Sequence, residues 1–240
     1  MRKSVLAAIA ASATLAGCHV RAEDVGATVS RNYQVGNFQQ IEVSGPYEVN
    51  VRTGSNPGVS AQGGEKLLGR TVVEVEGDKL VIKPEHRGGL FSVGWSTHGK
   101  AMFTVTVPQL SGATVAGSGD IHVDRVAGQS FDGTVAGSGG LDVGAMDVQS
   151  LRLRIGGSGG LNAGTGKAQS ADYAIGGSGD IDAKGVQTQS AKVAIAGSGS
   201  VKANATATAD VSIVGSGDVE VTGGAKCSVN KQGSGDVRCS

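Results

Sequence analysis

Aromatic residues make up only 3% of this 240-residue chain, and there is a single tryptophan. A chain so poor in rings does not fill a broad globular core; it suits a thin one of Val, Ile, Leu and Ala. An excess of either charge is missing too, since 21 basic residues balance 21 acidic ones. That balance argues against nucleic acid as a partner, which needs a basic footprint, and leaves no acidic tail. There are three cysteines and four histidines, with no C-x-x-C and no histidine beyond His122, so neither a metal site nor a redox pair is indicated. The N-terminal apolar stretch, Val5 to Leu15, is far too short to span a bilayer as a mature helix.

Glycine is what the chain has in abundance, 41 residues, without the three-residue period of collagen. Gly-Ser-Gly begins at Gly117, Gly137, Gly157, Gly177, Gly197, Gly215 and Gly233, in steps of 20, 20, 20, 20, 18 and 18 residues. Aligned on this triplet, the neighbours form aliphatic columns. Val115, Val135, Ile155, Ile175, Ile195 and Ile213 precede it, while Ile121, Leu141, Leu161, Ile181, Val201, Val219 and Val237 follow it. Mostly polar residues lie between, which is the period-two signature of strands with one buried face. A disordered Gly/Ser segment would not keep such columns in register.

Short strands of three to five residues, a glycine corner and a fixed coil length describe one turn of a parallel β-helix. No coil buries its own face, but stacked coils share a continuous core. Seven turns would make a rod on the order of 30 Å long. Glycine supplies positive φ at each corner, and the corner serines are expected to stack into a hydroxyl ladder. The fold expectation is all-β, with a regular part over 111–240. An irregular β-rich part over 33–110 starts and caps the rod, and "TVVEVEGDKLVIKP" reads as a hairpin about Gly77 and Asp78.

The N-terminus reads as an address. Arg2 and Lys3 precede the apolar run, which ends in Leu15-Ala16-Gly17-Cys18 and resembles a bacterial lipobox. By that resemblance 1–17 is a signal peptide and Cys18 is lipidated, with 18–32 as the lipidated N-terminus and polar tether. His19 in place of aspartate after Cys18 points to the outer membrane. The remaining Cys227 and Cys239 would share an oxidising compartment. Both fall in inward columns of the final coils, and a disulfide between them would staple the C-terminal coil.

The segments "FQQIEVSGPYEVNV" and "VTVPQL" and the series beginning "VAGSGDI" resemble the head GIN domain family, described as auto-transporter adhesins and including many lipoproteins. The resemblance runs from about Phe38 to Val237. It implies a right-handed parallel β-helix and an adhesin-like role, and it brings no catalytic residues with it. No part of the sequence reads as an auto-transporter barrel.

Aspartate follows four of the seven triplets, as Asp120, Asp180, Asp218 and Asp236. The pattern differs from calcium-binding nonapeptide repeats, so capping of the turn is the expected role. Some β-helices cleave acidic polysaccharides, and an enzyme of that lyase or hydrolase type is the alternative reading. It would need carboxylates clustered across adjacent coils, and the repeats lack that cluster, with His122 their only histidine. Outward columns instead alternate in charge, as in Asp132, Arg152, Asp172, Lys192 and Asp210, which supports register. The glycine-rich stretch with His86, Phe91, Trp95 and His98 is the candidate binding loop. The sequence thus predicts a non-enzymatic, lipid-anchored cell-envelope module with no cofactor. Its expected partners are the membrane through the anchor and a glycan or an envelope protein.

Overall fold

A stack of parallel coils leaves an open edge at each end, and an unprotected edge pairs with whatever strand it meets. The computed structural model describes residues 26–85 and 100–240, and its first strands form a cover for one end. β1 (Thr28–Tyr33), β2 (Gln40–Ser44), β3 (Tyr47–Thr53) and β4 (Gly58–Gly64) lead to a single helical turn, α1 (Glu65–Leu68). The hairpin of β5 (Thr71–Glu76) and β6 (Lys79–Pro84) follows, then β7 (Ala101–Val107) and β8 (Gly112–Gly117). β1-β4-β7-β3 stack on the first residues of the next strand, and β5-β6-β2-β8 on its last. β1 and β5 end these branches, and both lie antiparallel to their neighbours. The tether expected over 18–32 is therefore shorter, because Thr28 onward is a paired strand. The inward positions of β1 alternate as Val29, Arg31 and Tyr33, so Arg31 interrupts the apolar pattern; Val29 and Tyr33 pack on the core while the backbone bonds to β4.

The regular coils begin with β9 (Asp120–Gly137), β10 (Gly140–Gly157), β11 (Gly160–Gly177) and β12 (Asp180–Gly197), and continue with the shorter β13 (Ser200–Gly215). β14 (Asp218–Thr222), β15 (Lys226–Gly233) and β16 (Val237–Cys239) finish the rod. The result is a parallel β-solenoid of about six turns with coils of about 20 residues. That is about one turn fewer than the seven Gly-Ser-Gly triplets suggest. Each coil is also a long continuous ladder rather than separate strands of three to five residues. The ladder between neighbouring coils ends at corner glycines such as Gly137 and Gly157, with φ of 136° and 133°, which lie in register one over the other.

The corners are stitched by backbone. The amides of Ser138 and Gly139 both donate to the Gly117 carbonyl, at 2.9 and 3.0 Å, and Ser158 and Gly159 repeat this on Gly137. A side chain on the last glycine of a triplet would strike the carbonyl of the coil before it, as at Gly139 against Gly119. The expected serine hydroxyl ladder is not formed: among the described residues no hydroxyl of one corner bonds the next, and the serine amide makes the link. The first corner carries a disguise. Val43, Ser44, Glu48 and Val49 pair in register with Val115, Ala116, Asp120 and Ile121, so Ser44-Gly45-Pro46-Tyr47 is a corner lacking Gly-Ser-Gly. Gly45 has φ of 112° like its successors.

Inside, the aliphatic columns are buried. Where one position is large its neighbour two residues on is small, as in Phe131 with Gly133 and Ala171 with Tyr173, which keeps the filled volume steady along the rod. Tyr33, Tyr47 and Phe103 form the aromatic centre of the capped end, Tyr47 meeting Phe103 edge-on at 5.5 Å. The Tyr47 hydroxyl lies 3.1 Å from Thr71 Oγ1, which in turn donates to the Leu67 carbonyl. The β5–β6 hairpin turns at Gly77, as the sequence indicates. There Lys83 sits 2.8 Å from Glu74 and 2.9 Å from Glu76, which hold its ammonium above its ordinary range.

Candidate binding surfaces

Several residues singled out from the sequence lie outside the described residues: Cys18 with the signal segment, and His86, Phe91, Trp95 and His98 between β6 and β7. The four corner aspartates are described, and two of them, Asp180 and Asp218, bond backbone. Asp180 Oδ1 accepts from the amide and hydroxyl of Ser200 at 3.0 and 2.6 Å, and Asp218 Oδ1 accepts from the Asp236 amide at 2.8 Å. Each carboxylate thus reaches forward to the following corner. Among the described residues no group of three or more His, Cys, Asp or Glu side chains is placed to hold a metal ion.

His122 meets Asp142 on the next coil, Nδ1 to Oδ2 3.0 Å, with both side chains close to half exposed. That orients an imidazole, yet among the described residues no serine, threonine or cysteine bonds to it, so the pair lacks a nucleophile to activate. The alternating column lies in register, Asp132 to Arg152 to Asp172 to Lys192 to Asp210. Arg152 and Arg154 both approach Asp132, at 3.5 and 3.3 Å.

Cys227 and Cys239 are joined by a disulfide, with Cα atoms 6.6 Å apart. Cys227 is half-buried and Cys239 exposed, where the columns place both inside, because no further coil lies over them. Lys231 takes the place of Ile213 in its column and donates from Nζ to the Gly235 carbonyl at 2.6 Å. Deeper in the rod, the Tyr173 hydroxyl is buried with no protein partner, and burial raises its pKa.

A further concave surface involves none of these. Gln149, Gln169 and Gln189 recur on the second corner of each coil, one residue before Ser150, Ser170 and Ser190, and Gln129 with Ser130 opens the series. Gln149, Gln169 and Gln189, with Gly128, Asp147, Lys167 and Gln187, line a groove of about 530 Å³ that runs across the coils. Its floor is Val148, Ala168 and Thr188, all buried. Asp147 and Lys167 face each other at 3.4 Å. Among the described residues the amides of Gln149, Gln169, Gln187 and Gln189 have no protein hydrogen-bond partner. At the N-terminal end Gln109 donates to the Ala127 carbonyl beside Gly128.

The groove ends where the coil shortens. β13 skips three residues opposite the stretch after Asp182 and returns one after Thr188, which turns a 20-residue coil into an 18-residue one. Thr188 donates to the Asn204 carbonyl at 2.8 Å, and Thr206 donates to the Thr188 carbonyl at 3.0 Å, closing that end. The change of step was visible in the sequence, and so was the Gln-Ser dipeptide at constant spacing. A search centred on carboxylates, nucleophiles and rings passes over both.

Fold and surface together define a parallel β-solenoid whose coils repeat the same outward side chains. The family follows from the sequence match: residues 37–225 fit the family described as "Putative auto-transporter adhesin, head GIN domain", and the chain belongs to it. Solved structures share the fold. A "putative adhesin" from Bacteroides fragilis superposes with a TM-score of 0.80 at 22% identity, covering 89% of this chain and 97% of that one. A "putative adhesin" from Parabacteroides merdae gives 0.69 at 22%, covering 90% and 97%. A "putative lipid binding protein" from Parabacteroides distasonis gives 0.68 at 23%, covering 90% and 97%. Curated proteins give no match.

Proposed function

We propose that this chain is a non-enzymatic, adhesin-like binding module of the cell envelope, held to the outer membrane by acyl chains on Cys18. The observation that carries this reading is the groove, a row of unpartnered amides repeated coil after coil on a rigid frame. Repetition of one weak donor–acceptor set suits contact with an extended ligand, whereas catalysis requires a few unlike groups converging on one atom. Asp132, Asp180 and Asp218 are spent on corners and ion pairs, and no cluster of carboxylates converges on one point among the described residues, which weighs against the polysaccharide-cleaving alternative. The names of the structural neighbours include both adhesin and lipid binding protein. The filled interior and the amide walls favour the first, since an acyl chain would find little apolar lining.

Two measurements test the reading. Cys18→Ser should move the protein from the membrane fraction to the soluble one and remove the acyl mass from its N-terminus. Cells carrying the anchored chain should attach to extracellular matrix or to neighbouring cells better than cells lacking it, and the soluble chain should compete. Attachment that is indifferent to deletion of the chain would reject the module.

A further inference from the structure

We propose that the groove on the 20-residue coils binds a neutral, hydroxyl-rich polymer: an uncharged glycan chain lying along the rod axis. This rests on the reading of the chain as a binding module and assigns the ligand class of its groove.

Four features of the groove select that class. First, each amide of Gln149, Gln169 and Gln189 offers two donors and one acceptor with no protein partner, and neighbouring sugar hydroxyls both donate and accept. Second, the groove's two charges, Asp147 and Lys167, neutralise each other at 3.4 Å, so neither an acidic nor a cationic polymer meets a net opposite charge. Third, the coil backbones are already paired with the coils on either side, so a peptide cannot be added there as an extra strand. Fourth, Val148 and Ala168 on the floor belong to the core and are only 5% and 7% exposed, so the groove offers an acyl chain or an apolar peptide little to bury.

Geometry adds direction and length. The amides repeat once per coil, about every 4.8 Å, so a regular polymer laid along the rod meets the same contacts at each step. From Gln129 to Gln189 the series crosses four coils, roughly 15 Å, before the short coil at Thr206 closes it. A ligand of several rings engages the whole series, while a single sugar reaches only one or two amides. Binding should therefore rise steeply with chain length, as repeated weak contacts on one rigid frame do.

The test uses the Cys18→Ser soluble chain and immobilised linear neutral hexasaccharides of glucose, mannose and galactose, beside their disaccharides and beside polygalacturonate. At least one neutral hexasaccharide should be retained, at least tenfold more tightly than its disaccharide and more tightly than polygalacturonate. The double variant Gln149→Ala with Gln169→Ala should lose at least tenfold, with an unchanged unfolding temperature because both side chains are exposed. Ser212→Ala, on a distant column, should change nothing. The assignment is overturned if no neutral hexasaccharide is retained, if polygalacturonate is preferred, or if the double variant binds as well as the parent. Cell attachment of the anchored chain is scored in parallel. Attachment that survives the double variant overturns the groove's role and leaves the module standing, whereas hexasaccharide binding without any attachment does the reverse.

Discussion

The capped end and the repeating coils bury the same kind of narrow apolar strip by different means. Residues 28–85 and 100–117 use rings, antiparallel strands and side-chain bonds: Tyr47 packs on Phe103 and donates to Thr71, while Lys79 reaches Glu42 at 2.8 Å. Residues 120–217 use identical backbone placed over identical backbone, with aliphatic columns inside. The cap is made of particular contacts and tolerates irregular sequence. The coils rest on periodicity, so an error in one coil meets the same carbonyl of the coil beside it.

That contrast is broken most severely at a corner. Gly157 has φ of 133°, and a Cβ there would strike the Gly137 carbonyl. Gly157→Ala should lose about 3 kcal/mol through strain and overpacking together. Its neighbour Gly156 has open space around it, and Gly156→Ala should stay within about 0.5 kcal/mol of the parent. Urea unfolding of the two variants measures the difference, and equal losses would refute the corner argument.

The terminal coil comes next. Cys239→Ser opens the 12-residue link to Cys227 and should lower stability there by about 2–3 kcal/mol. The loss should show as faster proteolysis beyond Gly215, with amide exchange in β9 to β12 unchanged.

A third pair sets one region directly against the other. Tyr47→Phe removes a satisfied hydroxyl from the cap and should cost about 1 kcal/mol, whereas Tyr173→Phe removes a buried, unpartnered one and should be neutral or stabilise by about 1 kcal/mol. Thermal unfolding that moves the same way for both would erase the distinction. The smallest effect belongs to the charge ladder. Arg152→Asp places three acids in a row with Asp132 and Asp172 and should cost about 0.5–1 kcal/mol, partly relieved by salt.

The regular coils were legible because they obey one rule: an aliphatic residue on either side of each Gly-Ser-Gly marks both strand face and register. The charge column and the half-turn between the two cysteines followed from the same alignment. The capped end was less legible. At Gly45 the corner survives in geometry, but Pro46 and Tyr47 stand where Ser and Gly stand elsewhere, so a motif search starts one corner late. β1 was missed because Arg31 interrupts the alternation of Val29 and Tyr33. The groove was missed for another reason. Glutamine is chemically quiet, and only its recurrence beside serine, together with the two residues lost from the next coil, marks that corner as distinct.

The corner hydrogen bonds also have a direction. From Ser138 on Gly117 to Ser234 on Gly215, each amide in this column donates toward the N-terminal end of the rod. Peptide units so aligned add their dipoles as they do in an α-helix, leaving partial negative charge on the carbonyls of the last corner. Lys231 brings its ammonium to one of them, the Gly235 carbonyl. The polarity belongs to this line of corners, since the ladder amides elsewhere donate toward both ends of the rod, and Lys231 sets a cation near its negative end.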